Sequence, residues 1–332
     1  MSIFITGATG YIGAELTKAL TRSGHIVHAL IRDAKKQSSI EHPNIKFFEG
    51  NILDNESLKK GMENCEAVFH LAAYARVWAK DPEVYFKVNV EGTKNVLETA
   101  LKLGVKKLVY TSTAGVIGPS YQKASTEESL RKVDFFNEYE SSKSISENLI
   151  YAYLLKGLDT VVVYPSRVYG PGLMSDSNAV TKLIEQYIKG KWRLIPGDGS
   201  RTGSYAYIKD VIEGHVQALL KANPGKRYIL GGENVAYNQL FDIIKKVSGK
   251  NHKLIKVPVP AMQAFGHMQM IKKSITGKPP LLTPAWIKKY EFDWSLDSGK
   301  AIEELDYKIT PIEEGVSKTI EWLKDQNRIN GK

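Results

Sequence analysis

The chain has 332 residues, of which 42% are hydrophobic, and its longest apolar stretch, 257–271, is broken too often by proline, glycine and polar residues to cross a membrane. One cysteine, Cys65, excludes an internal disulfide framework and a cysteine-rich zinc site, because both need several sulfur atoms. The net charge is +10, but no basic run exceeds two residues, so solvated surface lysines are a better explanation than a nucleic-acid site. We therefore expect a cytoplasmic protein with a small-molecule substrate, no metal, no nucleic-acid partner and no transmembrane segment, and we leave homodimerisation open.

The first half of the chain alternates short apolar runs with amphipathic stretches. The runs are 3–6, 25–31, 45–49, 67–71, 107–111 and 160–164, and stretches such as 14–23 and 91–103 have the apolar spacing of helices. Nearly continuous Val, Ile, Leu and Phe within the runs is typical of strands that are covered on both faces. This pattern predicts an α/β fold with a doubly wound parallel sheet.

The first predicted strand leads directly into a glycine-rich turn, with Gly7, Gly10 and Gly13 spaced by three, and then into a helix. Gly7 permits a tight turn, Gly10 lets backbone N–H groups approach a pyrophosphate, and Gly13 lets the helix pack closely on the strand. This placement predicts a Rossmann-type dinucleotide site. The alternative is a structural turn without a ligand.

The end of the second predicted strand indicates which dinucleotide binds. An acidic residue there binds the ribose 2′-hydroxyl of NAD, whereas an arginine suits the 2′-phosphate of NADP. Arg32 comes first, Asp33 follows, and Lys35 and Lys36 come next. We predict NADP, with NAD as the alternative because of Asp33.

Tyr139 and Lys143 lie four residues apart in a predicted helix, so they share one face. An ammonium group near a phenol favours the phenolate and would lower the tyrosine pKa from its usual value of about 10. The spacing alone occurs often by chance. The pair becomes informative only together with the glycine turn.

After residues 170–172 the regular alternation fades, and glycine and proline clusters at 197–199, 231–232 and 278–280 separate helices from short strands. We predict a dinucleotide-binding domain over 1–170, with a contribution from residues 200–230. A smaller, mixed α/β substrate domain follows over 171–332.

Together these motifs resemble those of the extended short-chain dehydrogenases/reductases, a branch of the NAD-dependent epimerase/dehydratase family. The motifs that carry the resemblance are 6–13, 50–54, 69–73, 89–93, 110–113, 139–143 and 165–171. They extend over much of the chain and imply a Rossmann-type sheet with a dinucleotide bound at the glycine turn.

The resemblance implies roles for individual residues. Tyr139 would donate the proton, Lys143 would hold the nicotinamide ribose and lower the tyrosine pKa, and Thr113 would hydrogen-bond the substrate oxygen. The implied cofactor-binding residues are Gly7, Thr9, Gly10, Tyr11, Ile12, Arg32, Asn51, Ile52, Leu71, Ala72, Ala73, Tyr139, Lys143, Pro165 and Val168. Asn51 stands where the family usually has Asp. We interpret Asn89 as fixing the backbone before a helix that begins near residue 91.

Members of this family reduce carbonyls, epimerise or dehydrate sugar nucleotides, or serve as sensors without catalysis. Thr113 is followed by Ala114 rather than by an acidic pair, which disfavours dehydration. Gly203 stands where epimerases have a diphosphate-binding arginine, and Arg167 stands where they have asparagine. The chain therefore looks most like the dihydroflavonol-reductase and 3β-hydroxysteroid-dehydrogenase branch. This predicts NADP-dependent reduction of a bulky hydrophobic carbonyl compound, with sugar-nucleotide epimerisation and NADP sensing as alternatives.

Residues 260–286 are rich in methionine and aromatic side chains, and breakers such as Gly266, Gly277 and Pro279 interrupt them. We predict that 260–290 form short, mobile, apolar pieces over the nicotinamide. Core packing or a dimer contact is the alternative.

Overall fold

The computed structural model describes residues 1–329, apart from the side chains of residues 36, 38 and 39. Its strands are β1 (Ser2–Thr6), β2 (Ile26–Ile31), β3 (Ile45–Glu49), β4 (Ala67–His70), β5 (Lys107–Thr111), β6 (Asp159–Pro165), β7 (Arg167–Tyr169), β8 (Leu194–Pro196), β9 (Thr202–Tyr207), β10 (Arg227–Leu230), β11 (Glu233–Ala236) and β12 (Ile255–Val257). The six strands predicted in the first half are confirmed to within one residue at each end.

The α-helices are α1 (Tyr11–Arg22), α2 (Asn55–Met62), α3 (Glu83–Phe86), α4 (Gly92–Lys102), α5 (Ala114–Ile117), α6 (Glu138–Leu154), α7 (Ala179–Ile188), α8 (Ile208–Lys221), α9 (Tyr237–Ser248), α10 (Val259–Thr276), α11 (Pro284–Lys288), α12 (Gly299–Leu305) and α13 (Ile312–Asp325). Short 3-10 turns cover Ala34–Ser39, Asp176–Asn178 and Lys289–Glu291, and a π-helical turn covers Lys87–Glu91. Within residues 1–329 no helix combines the length and the apolar character that a membrane span requires.

The main sheet has seven parallel strands in the order β10-β6-β5-β4-β1-β2-β3, which confirms the α/β, doubly wound prediction. In β1, Ile3 and Ile5 belong to one buried cluster and Phe4 to another, because successive side chains point to opposite faces of the sheet. Both faces are covered, which explains the continuous apolar runs. The strand order reverses beside β1, and this opens a crevice at the carboxyl ends of β1 and β4.

The seventh strand of this sheet comes from the second half of the chain. β10 pairs with β6, and α8 packs beside α1 on one face of the sheet. The rest of the second half holds two small sheets, a mixed one ordered β11-β9-β7 and a parallel pair of β12 and β8. The proposed division at residue 170 stays a prediction.

One local expectation is confirmed in part and another was wrong. The Asn89 amide does fix backbone, since it hydrogen-bonds both backbone groups of Tyr74 at 2.7 and 3.2 Å, and α4 begins at Gly92. The chain is already helical from Glu83, however, and Asn89 lies in the π-helical turn rather than before a helix. The expectation for 260–290 was wrong over α10, which is one helix of 18 residues rather than short pieces. Gly266 does not break it, because α10 packs at that position against Pro284 and Ile287.

Candidate active site

The glycine turn brings β1, α1 and the end of β4 into close contact. The Gly10 amide donates to the Gly7 carbonyl at 2.9 Å, and Gly7 has a φ of +75°, which favours glycine. A Cβ on Gly7 would lie 2.7 Å from the Ala72 amide nitrogen, and one on Gly13 would lie 2.1 Å from the Gly7 carbonyl oxygen. No side chain caps α1, so its first N–H groups remain available to an anion. The turn therefore fits a pyrophosphate.

His70, at the end of β4, holds this crevice together, although we had assigned it no role. Its Nδ1 lies 2.7 Å from the Thr6 hydroxyl and its Nε2 lies 2.9 Å from the Thr93 hydroxyl. The Thr6 hydroxyl also accepts from the Ala72 amide at 3.2 Å. Burial, and to a smaller extent the charge of Lys143, lowers the pKa of His70 to about 3, so the ring is neutral. His70 thus positions the segment that begins at Ala72.

In the loop after β2, Arg32 and Asp33, on which the choice between NADP and NAD depends, have different surroundings. The Asp33 carboxylate accepts from the Lys35 amide at 3.0 Å and so caps the 3-10 turn of 34–39. Arg32 is exposed, and among the described side chains no acid pairs with it. The Lys36 side chain lies outside the described residues.

Several predicted cofactor residues use their side chains for packing. Ile52 is buried, and its side chain occupies the space beside Gly92. The Tyr11 hydroxyl donates to the Gly170 carbonyl at 3.1 Å. The Tyr11 hydroxyl is therefore already engaged, and the Ile52 side chain packs inside the protein. Asn51 is exposed and its Oδ1 accepts from the Leu53 amide at 3.1 Å.

The other predicted residues line the strand ends. Thr9, Ile12, Leu71, Ala72 and Ala73 are partly exposed around the crevice, while Pro165 and Val168 are buried at the end of β6 and in β7. The structure therefore places residues from several separate motifs around the carboxyl edge of one sheet.

Thr113 and Tyr139 come together beside this edge. Thr113 follows β5, and its hydroxyl accepts from the Gly115 amide at 3.2 Å, which caps α5. Tyr139 lies in the first turn of α6, where Asn137 caps the helix through the Glu140 amide at 3.0 Å. Burial raises the pKa of Tyr139 to about 12, and hydrogen bonding with the Thr113 side chain opposes the increase. The phenol is therefore protonated at neutral pH.

Lys143 is buried one turn further along α6. Its ammonium donates to the Thr111 carbonyl at 2.7 Å and lies 4.0 Å from the centroid of the Tyr110 ring. Burial lowers the pKa of Lys143 to about 7, and the nearby Glu147 opposes this change. The pKa of Tyr139 is raised overall because desolvation of the phenol outweighs the contributions that lower it. The role of Lys143 in lowering the tyrosine pKa stays a prediction.

Glu147 extends the same helix face by one more turn, which the spacing of Tyr139 and Lys143 could have indicated. Its carboxylate accepts from the Tyr164 hydroxyl at 2.8 Å and from the Ser112 hydroxyl. Burial raises the pKa of Glu147, while Ser112, Tyr164 and Lys143 lower it. Through these two hydrogen bonds the Glu147 carboxylate connects α6 to β6 and to the residue that follows β5.

A guanidinium lies at Gly203 although residue 203 itself is glycine. A Cβ on Gly203 would lie 2.3 Å from an Nη of Arg167, so the glycine makes room for that side chain. Arg201 instead pairs with Asp293 at 2.9 Å. The two departures from the epimerase pattern, an arginine at 167 and a glycine at 203, are therefore related, because the arginine side chain fills the space that the glycine leaves.

Comparison with known proteins identifies a matching family and several relatives. The family model described as "NAD dependent epimerase/dehydratase family" matches residues 3–231. A putative dihydroflavonol 4-reductase from Synechocystis is 26% identical over 98% of this chain and 95% of its own length. A 3beta-hydroxysteroid-dehydrogenase/decarboxylase from Arabidopsis thaliana is 26% identical over 98% and 80%.

Among solved structures, UDP-glucuronic acid 4-epimerase from Bacillus cereus in complex with NAD is 25% identical. It superposes with a TM-score of 0.79 over 98% of this chain and 99% of that one. The comparisons thus include both reductase and epimerase relatives.

Proposed function

Since the chain belongs to the NAD dependent epimerase/dehydratase family, we propose that it is an NADP-dependent oxidoreductase that interconverts a carbonyl and an alcohol on a bulky, hydrophobic substrate. The observation that carries this proposal is the meeting of Tyr139 and Thr113 beside Lys143, at the sheet edge that also holds the glycine turn. A cytoplasmic location and a homodimer are parts of the same proposal.

The residues at the crevice fit a nicotinamide dinucleotide, because the glycine turn leaves uncapped N–H groups for its pyrophosphate. When bound, the cofactor supplies the hydride. The Thr113 hydroxyl would then donate to the carbonyl oxygen of the substrate while still accepting from Gly115. This contact polarises the carbonyl where negative charge develops.

Tyr139 delivers the proton to that oxygen. A phenol whose pKa is raised to about 12 enters the reaction protonated, as reduction requires. The phenolate that remains is stabilised when Lys143 is charged. The pKa of Lys143 is about 7 because burial lowers it while the nearby Glu147 opposes that change, so Glu147 supports catalysis by favouring the ammonium.

The proposed preference for NADP rests on Arg32. It is exposed at the end of β2 and unpaired within the described part of the chain, whereas Asp33 is engaged in capping a turn. Removing Arg32 should weaken NADPH binding by about tenfold, the order expected for a charge-assisted contact, and leave NADH binding nearly unchanged. Calorimetric titration of Arg32→Ala with both cofactors tests this, with the exposed Arg22→Ala as the control. Equal losses for both cofactors would contradict the preference.

The hydrophobic character of the substrate is supported by the names of the relatives, a dihydroflavonol reductase and a hydroxysteroid dehydrogenase. It is also supported by α10, where Phe265, Met268, Ile271 and Ile275 leave an exposed apolar stripe. Lengthening the alkyl chain of a ketone substrate should then improve kcat/KM, and Met268→Lys should weaken that trend while sparing NADPH binding. A trend that Met268→Lys leaves unchanged would exclude α10 from substrate binding.

The second candidate is a sugar-nucleotide epimerase. It is favoured by the guanidinium of Arg167 at Gly203 and by the NAD-bound UDP-glucuronic acid 4-epimerase among the similar structures.

Oxidation of NADPH should be followed against aryl ketones, steroid ketones, long-chain 3-oxo compounds and UDP-sugars. Turnover of the hydrophobic carbonyls would support the proposal. Epimerisation of a UDP-sugar without net cofactor oxidation would replace it with the epimerase function. Tight NADPH binding without turnover of any compound would favour a sensor.

A further inference from the structure

Arg167 lies on the same edge of the sheet as the proposed catalytic residues. It begins β7, two residues after β6 ends at Pro165, just as Thr113 lies two residues after β5 ends at Thr111. β5 and β6 are neighbouring parallel strands, with Thr111 beside Val163, and β6 continues for two more residues, so Thr113 and Arg167 both follow the carboxyl ends of adjacent strands. Residues that follow these two strand ends lie at the edge where parallel sheets bind ligands.

The guanidinium of Arg167 is held by tyrosines. One Nη donates to the Tyr205 hydroxyl at 3.1 Å and to the Tyr237 hydroxyl at 3.0 Å. Its Cζ lies 5.5 and 5.3 Å from the centroids of the same two rings. Within residues 1–329 no carboxylate lies within 4.0 Å of this group, and its Nε and second Nη have no hydrogen-bond acceptor there. The protein thus fixes the plane of the guanidinium and leaves one donor edge free.

The neighbouring charges do not neutralise Arg167. Lys289 and Arg131 share a single carboxylate, that of the buried Glu140, at 2.6 and 2.9 Å. Burial lowers the pKa of Lys289, and the positive charges of Arg167 and Arg131 lower it further. Arg131 and Lys289 thus both use the carboxylate of Glu140, and Arg167 pairs with no carboxylate in the described part of the chain, so an added anion would be stabilised there.

We propose that Arg167 binds a carboxylate of the substrate through its free Nε and Nη edge, which makes the substrate an oxoacid or hydroxyacid with a hydrophobic body. This inference rests on the proposed reductase function and narrows its substrate class. A planar, bidentate carboxylate matches the single free edge of a guanidinium whose other Nη is occupied by tyrosines. Gly203 is required because any side chain there would displace the arginine.

The test compares a long-chain 3-oxo acid with its methyl ester, which has the same carbonyl and the same body without the charge. The wild type should favour the acid by about tenfold to a hundredfold in kcat/KM, as one charge-assisted bidentate contact provides. Arg167→Gln should remove this preference and change turnover of the ester much less. Arg167→Lys should keep only part of the preference for the acid, because lysine lacks the two parallel N–H donors of a guanidinium. Arg201→Gln is the matched control, since Arg201 already pairs with Asp293, and it should keep the wild-type preference.

A binding measurement separates this inference from the proposed function. The melting temperature of the wild type with NADPH should rise more with the acid than with the ester, whether or not either compound is reduced. If neither is reduced but the acid still stabilises the protein through Arg167, the reductase function fails and the carboxylate site stands. Equal effects of acid and ester, or an Arg167-dependent effect of UDP-glucose alone, would overturn the carboxylate site.

Discussion

At the scale of single residues, the site contains two groups whose burial moves their pKa values apart. The Tyr139 phenol rises to about 12 and the Lys143 ammonium falls to about 7. Both changes favour the neutral forms, because desolvation penalises charge whatever its sign. At neutral pH the site therefore contains a protonated Tyr139 phenol, and the charge of the Lys143 amine depends on the groups around it.

Replacing Tyr139 by Phe should reduce kcat by at least about a hundredfold, because only the transferable proton is removed. NADPH affinity, measured by fluorescence titration, should stay within about threefold of the wild type, since the aromatic ring remains. Tyr151 lies on the same helix but is exposed, so Tyr151→Phe is the control. Retention of activity in Tyr139→Phe would mean that another group supplies the proton.

Lys143 should make stability depend on pH. Its pKa in the folded protein is about 7, below its ordinary value of 10.5, so the unfolded chain binds more protons between these values. Folding stability relative to Lys143→Met should therefore rise with pH across that window, by at most about 1.4 kcal/mol per pH unit. Urea unfolding of both proteins at several pH values measures the difference. A constant difference across the window would show that the amine is not desolvated.

At the scale of elements, two glycines of the turn have different roles: Gly13 is needed for packing, and Gly10 is needed for binding. Gly13 has no room for a Cβ because of the Gly7 carbonyl, whereas a Cβ on Gly10 would come no closer than 3.2 Å to that oxygen. Gly10 also has a φ of −80°, which any residue adopts. Glycine is therefore not needed at position 10 for folding, and its missing side chain instead keeps the space in front of the turn open for a ligand.

Gly13→Ala should consequently destabilise the protein by about 1–3 kcal/mol, since backbone rather than a flexible side chain blocks the methyl group. Gly10→Ala should change stability by less than about 1 kcal/mol but weaken NADPH binding, because the methyl group would meet the pyrophosphate. Thermal melting and cofactor titration of both variants distinguish these effects. Unchanged NADPH affinity in Gly10→Ala would argue against a pyrophosphate at this turn.

At the scale of the whole molecule, the main sheet depends on both halves of the chain. Ile208, Val211 and Ala218 of α8 are buried in the same cluster as Ile3 and Ile5 of β1. β10 covers the edge of β6. A fragment that ends at residue 170 would expose this apolar surface and an unpaired strand edge.

We therefore expect the fragment 1–170 to lack a cooperative thermal transition and to aggregate, whereas the full chain melts cooperatively. Near-ultraviolet circular dichroism during heating compares the two. A fragment that melts cooperatively and binds NADPH would establish the first 170 residues as an independent domain.

The positions of the six strands in the first half could be predicted from the amino-acid sequence alone, because strands buried on both faces require continuous apolar runs. The glycine turn between β1 and α1 could be predicted as well, since local backbone geometry allows few residues there. The helix that carries Tyr139 and Lys143 was likewise predictable from local spacing.

The electrostatics of the site and the packing around Arg167 could not be predicted, because they depend on contacts between distant parts of the chain. The pKa directions of Tyr139 and Lys143 depend on burial, which neighbouring elements create. The space at Gly203 is filled by Arg167 from another strand, and the edge of β6 is paired by β10 from far along the chain. These features join residues that are distant in sequence, so no local pattern could contain them.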